Sequence, residues 1–188
     1  MPKQTNPSAV GTSSPGTTRI WNGQAFEQDL WQRLPDDEAP PAEGFALVTL
    51  ERWRRQKSEL DGTTNVTFGI CLAPNDEIDP QSDEIHRLAL IALAFPKFTD
   101  GRSYSTARRL RELWGYRNDL RATGDVLLDQ IALMSRCGFT SFEIVDPATI
   151  RALERAEPTR MHRMYQSPTL HGDLRRSATS PRVLVAAE

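Results

Sequence analysis

Leu90-Ile-Ala-Leu-Ala-Phe-Pro-Lys-Phe-Thr-Asp-Gly-Arg-Ser-Tyr-Ser105 sets the architecture. Its first six residues form an unbroken apolar run of strand length, and Pro96 ends it. A polar loop leads into the strongest helical pattern of the chain, Arg102 to Trp114. There Tyr104, Ala107, Leu110 and Trp114 share one face, while Arg108, Arg109 and Glu112 fall elsewhere. Gly115 stops that helix. A fully apolar strand followed by an amphipathic helix is the repeating piece of a parallel sheet covered by helices.

The same alternation extends in both directions. Upstream, residues 45–50 and 66–72 read as apolar strands, with a helix over 51–60 between them and a blurred helical stretch over 83–88. Downstream, residues 120–123 form a short strand, 126–137 an amphipathic helix closed by Gly138, 140–145 a further strand, and Pro147 opens a last helix to about Ala156. Arg19 to Phe26, with Asn22-Gly23 at its turn, reads as a small hairpin, and Asp29 to Leu34 as a short helical turn ended by Pro35. The expected fold is therefore a single α/β domain, residues 19–157. It has a mainly parallel sheet of about five strands, covering helices and a small N-terminal hairpin. An open layered sheet and a half-barrel arc both satisfy the pattern.

Outside that domain the text changes character. Residues 1–18 are rich in Pro, Gly, Ser and Thr and are expected to be a disordered tail, neither a secretory signal nor a transit peptide. Residues 158–188 carry scattered Arg and are expected to be a largely flexible tail. Residues 151–188 hold seven basic and four acidic side chains, against three and six in residues 1–44. That asymmetry allows a contact between the tail and an acidic partner, or simply a solvated tail.

Composition excludes several classes. The chain has 188 residues, 38% hydrophobic and 26% charged, with a net charge of −2 and a pI near 6.0, so nothing favours nucleic acid or an anionic membrane. The longest apolar run, Leu88 to Phe95, is eight residues, far from the roughly 20 of a membrane-spanning helix. Cys71 and Cys137 make no disulfide framework and suit a reducing cytoplasm. His86, His162 and His171 have no metal-site spacing. No glycine-rich nucleotide loop, nucleophile elbow or CxxC pair occurs, so no cofactor is named. Trp21, Trp31, Trp53 and Trp114 read as core.

In parallel α/β folds, ligands collect at the C-terminal ends of the strands. Two loops there are dense in polar residues. In the first, Asp100-Gly101 makes a tight turn that allows close backbone approach. Ser103 or Ser105 can cap the following helix, Lys97 and Arg102 supply positive charge, and Tyr104 a hydroxyl. In the second, Gly124 eases the turn, and Asp125 either caps the helix or faces Arg102 or Arg121 as a functional carboxylate; Gln130 lies in the first helical turn. These loops would hold a small oxyanion or a phosphate-bearing ligand. The catalytic candidates are Asp100, Arg102, Tyr104 and Asp125, and the ligand-binding candidates are Lys97, Gly101, Ser103, Ser105, Arg121, Gly124 and Gln130. The same residue types also serve turns, caps and salt bridges with no ligand involved.

Residues 91–111, Gly115-Tyr116, residues 119–127, Asp129-Gln130 and Met134-Ser-Arg-Cys-Gly-Phe139, with Tyr165-Gln166 near the end, resemble a bacterial domain-of-unknown-function family (number nine-three-four). Its members are typically encoded beside assimilatory sulfite reductase, and some carry the label of an oxidoreductase of sulfite reduction. The resemblance implies a cytoplasmic bacterial protein of sulfur assimilation, either an accessory protein or an oxidoreductase component of sulfite reduction. It supplies no catalytic residue. The alternative it leaves open is a non-catalytic partner of sulfite reductase that positions an electron donor. In a third reading both loops are purely structural and function lies on another surface.

Overall fold

The computed structural model describes residues 19–61, 65–78 and 83–155. The expectations for residues 1–18 and 158–188, and the family-like Tyr165-Gln166, lie outside the described residues. Among these there are eight strands: β1 (Arg19–Trp21), β2 (Phe26–Glu27), β3 (Trp31–Arg33), β4 (Gly44–Thr49), β5 (Val66–Leu72), β6 (Leu90–Phe95), β7 (Asp119–Gly124) and β8 (Ser141–Ile144). The helices are α1 (Leu50–Asp61), α2 (Arg102–Arg108), α3 (Leu128–Arg136) and α4 (Pro147–Arg155). A 3-10 turn spans Asp83–Arg87, and α2 runs on into a π-helical turn, Arg109–Leu113.

All eight strands join one sheet in the order β2-β1-β8-β7-β6-β5-β4-β3. From β3 to β8 every neighbour is parallel and each new strand adds on the same side of the last; β1 pairs antiparallel with β8 and with β2. Successive addition on one side, with the twist carried by each strand, rolls the sheet. Its curvature is visible in one ion pair. Arg33 on β3 meets Glu143 on β8, although five strand spacings separate them, about 24 Å in a flat sheet. The sheet is a half-barrel, which decides against the open layered alternative.

The expected count of about five strands is corrected to eight. Five of the eight, β4 to β8, are the strands expected from the alternation with helices. Trp31–Arg33 is a strand, not part of a helical turn: the Asp29 side chain accepts a hydrogen bond from the Trp31 amide (3.1 Å), and β3 then pairs with β4 at Trp31 and Phe45. The Asn22-Gly23 hairpin forms as expected, with the Asn22 side chain accepting from the amides of Gln24 and Ala25. It extends the main sheet through β8 and does not stand apart.

Strand periodicity gives the two faces different contents. The convex face, under the helices, carries the main core, including Ile70, Leu93, Phe95, Leu110, Leu120, Phe142 and Ile144, all at most 1% exposed. The concave face carries a small apolar cluster of Leu47, Leu90 and Ala92, with Trp31 and Cys71 against it. Gly69 sits on that face, and any Cβ there would lie 2.9 Å from the Trp31 ring. The π turn after α2 carries Arg111 into the interior, where its Nε donates to Gly138 O (2.9 Å) and its Nη1 to Tyr116 O and Asn118 O (both 2.8 Å). Burial holds the Arg111 pKa down to about 10.

Candidate functional site

The two polar loops sit side by side on the rim formed by the strand C-termini, because β6 and β7 are paired from Leu90–Asp119 to Phe95–Gly124. Gly124 makes the contact between them possible. Its φ is +95°, and a Cβ there would stand 2.5 Å from Phe95 O. The chain turns tightly enough for the Asp125 amide to donate to Phe95 O at 2.8 Å.

Asp125 is not the cap of α3. Helix α3 starts at Leu128, beyond reach of an Asp125 cap, with Leu127 as the residue preceding it. The Asp125 carboxylate turns across to the other loop and accepts a hydrogen bond from the Phe98 amide (2.9 Å), facing neither Arg102 nor Arg121. Gln130 completes the grip, its side-chain amide donating to Phe98 O at 2.8 Å. Both backbone polar groups of Phe98 are thus held by side chains of the neighbouring βα unit, and its ring is left 51% exposed.

The rest of the first loop is arranged around Asp100 and Arg102. Asp100 Oδ1 accepts from Arg102 Nε (2.9 Å) and Oδ2 from Nη2 (2.5 Å), while Arg102 Nη1 donates to Asn75 Oδ1 on the loop after β5. The Arg102 guanidinium holds the Asp100 carboxyl down to about 2. Ser103 is buried, its hydroxyl donating to Ala94 O (2.8 Å), so it fastens α2 to the end of β6. Tyr104 packs edge-on against Phe95 with ring centroids 5.2 Å apart, and burial pushes its phenol up. Lys97, Gly101 and Ser105 are exposed.

Arg121 belongs to a different place. It is 5% exposed on the concave face, paired with Asp29 (2.9 Å) and Asp119 (3.8 Å), and its Nε donates to Ser141 Oγ (3.3 Å). Nearby on the same face, Arg33 bonds Glu143 and lies 3.8 Å from Cys71 Sγ. Burial raises the Cys71 thiol more than Arg33 lowers it, so the protonated thiol is favoured. None of Arg33, Asp29, Asp119, Ser141, Glu143 or Asn75 follows from motif searching. The alternation Asp119-x-Arg121-x-Thr123 followed by Ser141-x-Glu143 is the signal for three of them, Asp119, Ser141 and Glu143. It places five polar residues of two adjacent strands on one face.

The structure therefore brings together the 97–105 loop, Asp125 and Gln130, and leaves Arg121 apart. Clefts of about 350 Å³, lined by Asp36, Glu38, Arg52 and Gln56, and about 240 Å³, lined by Asp76, Ile78, Arg109 and Trp114, lie outside the Phe98 grip. Among the described residues no cluster of three or more His, Cys, Asp or Glu is placed to hold a metal ion, and no helix is long and apolar enough to cross a membrane. Residues 69–173, more than half of the chain, match the family described as bacterial protein of unknown function (DUF934). No curated protein and no solved structure matches the chain significantly.

Proposed function

Because the chain belongs to the DUF934 family of bacterial proteins, we propose for it the role its family resemblance suggests: an accessory protein of assimilatory sulfite reduction. In this reading it docks on sulfite reductase or on the reductase's electron donor. The observation that carries the docking reading is Phe98. An aromatic ring held half in water, on a backbone fixed at both its amide and its carbonyl, is a pre-organised anchor that loses little freedom on binding. Around it, Asp100, Arg102 and Asn75 already satisfy one another, which keeps the rim shaped in the free protein.

The test is direct binding of the full chain to purified sulfite reductase, and separately to its electron donor. Phe98→Ala should weaken the association at least about tenfold while the circular dichroism spectrum and melting temperature stay unchanged. Equal affinity of wild type and Phe98→Ala for both partners would sink the reading. Growth of a deletion strain fixes the metabolic step: failure on sulfate and on sulfite with rescue by sulfide is expected.

A second reading uses the same rim to hold a small oxyanion or a phosphate-bearing group, with Lys97, Arg102 and Ser105 as contacts and Asp100, Arg102, Tyr104 and Asp125 as candidates for any chemistry. It is favoured by the exposure of Lys97 and Ser105 and of the Arg102 side chain, which is 55% accessible. Asp100 and Asn75 take three of the five guanidinium N–H donors, which leaves two for such a ligand. Titration with sulfite and with inorganic phosphate checks it, and Arg102→Ala should abolish any binding seen.

A further inference from the structure

Helix α3 has an inner face that is fully used and an outer face that is not. Met134 is 0% exposed and Ile131 packs against the main core, whereas Leu128 and Leu133 stand 45% and 50% exposed. Only six large hydrophobic side chains are this exposed among the described residues, and Leu113, at 73%, is a third in the same neighbourhood. It follows Glu112 on the π turn, whose charge, with that of Arg108, acts on Cys137 at the C-terminal end of α3.

The charges on this outer face have a specific order. Asp129 and Arg136 are seven residues apart on one stripe, with Ala132 and Leu133 midway between them. Both charged residues are exposed. An acid at one end of an apolar stripe and a base at the other is complementary to itself when the stripe is turned end for end. A two-fold axis through the midpoint sets Asp129 opposite Arg136 of the second copy, and the reverse. The same axis sets Leu133 opposite the small Ala132 of the second copy, which lets the two helices approach at the crossing.

We infer that the outer face of α3 is the two-fold interface of a homodimer, with α3 packed antiparallel on its own copy and two Asp129–Arg136 pairs flanking an Ala132 and Leu133 centre, Leu128 lying just outside each pair. The inference stands apart from the rim around Phe98.

Sedimentation velocity of the full chain over a range of concentrations tests it. A concentration-dependent dimer is expected, weakened at least about tenfold by Leu133→Glu. Asp129→Arg alone and Arg136→Asp alone should each weaken it, because each sets like charges opposite one another. The double exchange should restore it, and all variants should keep the wild-type circular dichroism spectrum. Rescue by the double exchange reports the antiparallel pairing, because reversing both charges works against the α3 macrodipole and would otherwise leave the double variant worse than either single one. A wild-type chain that is monomeric at every concentration would overturn the inference. If Leu133→Glu then also lowered the melting temperature, the face would be covered by another part of the same chain. Weakening by both single exchanges without rescue by the double would overturn the two-fold geometry.

Discussion

The two faces of the half-barrel are built from the same strands by opposite means. On the convex side, large apolar side chains from β5 to β8 meet the helices and exclude water over a broad area. On the concave side the apolar cluster shrinks to Leu47, Leu90 and Ala92. The remaining space is closed by pairs of opposite charge, Arg33 on β3 with Glu143 on β8 and Arg121 on β7 with Asp29 in the loop before β3. The convex face draws stability from area, which is non-directional. The concave face draws shape from directional bonds: the Arg33–Glu143 pair fixes the distance between two strands that have no ladder contact, and the Arg121–Asp29 pair ties β7 to the loop before β3. Buried ion pairs contribute little net stability against apolar replacements, but removing one partner is costly. The concave pairs therefore set the curvature more than they raise the stability.

That contrast can be broken from either side. The largest loss is expected on the convex face: Phe142→Ala should cost about 4 kcal/mol in denaturant unfolding, the transfer of the ring plus the cavity left behind. Next comes the concave face. Glu143→Leu should cost about 2 kcal/mol, less than a fully buried orphan charge, because the Arg33 side chain is 34% exposed and recovers some hydration. Combining it with Arg33→Leu should return most of that loss, leaving under about 1 kcal/mol, whereas no second substitution of that kind rescues Phe142→Ala. On the rim, Asp125→Ala should cost about 1 kcal/mol by freeing the Phe98 amide, and should weaken partner binding by more than its stability loss alone explains.

The smallest effect concerns acid stability at the base of α4. Asp146 accepts hydrogen bonds from the Thr149 amide and hydroxyl (both 2.7 Å), chiefly the hydroxyl, which holds its carboxyl below the ordinary range. The unfolded chain then takes up the proton first, so the contribution is full above the ordinary carboxylate value and disappears as the pH falls through the lower folded value. Asp146→Ala should lower the melting temperature at neutral pH, and the two proteins should converge in strong acid.

The convex half of this comparison is legible in the sequence and the concave half is not. Strands β4 to β6 announce themselves because a buried parallel strand is a continuous apolar run, and the residues of 66–72 and 90–95 coincide with β5 and β6. Trp31–Arg33 is too short and too polar for that signal; it becomes a strand only because β4 offers its edge. Glu143 sits in a run that reads as core, and its partner lies 110 residues away in the chain, a pairing no local pattern encodes. The rim is intermediate. The two loops and the turn at Gly124 are readable from residue type, and their adjacency follows from the fold class. That Asp125 grips Phe98 and does not cap α3 follows from a helix start two residues later than the pattern suggests, at Leu128 and not Val126.

The antiparallel docking of β1 on β8 has a bearing on how the chain is made. Strands β3 to β8 are laid down in spatial order, so each can add to its predecessor as the polypeptide leaves the ribosome. The hairpin of β1 and β2 emerges first yet has nowhere to dock until Ser141–Ile144 exists, with Arg19 opposite Ile144 at the far end of the described sheet. During synthesis β8 is the last open edge, and the hairpin is the cover held in reserve for it. A ribosome stalled before Ile144 would display a growing edge with its natural cap still loose, ready to accept a strand from another nascent chain.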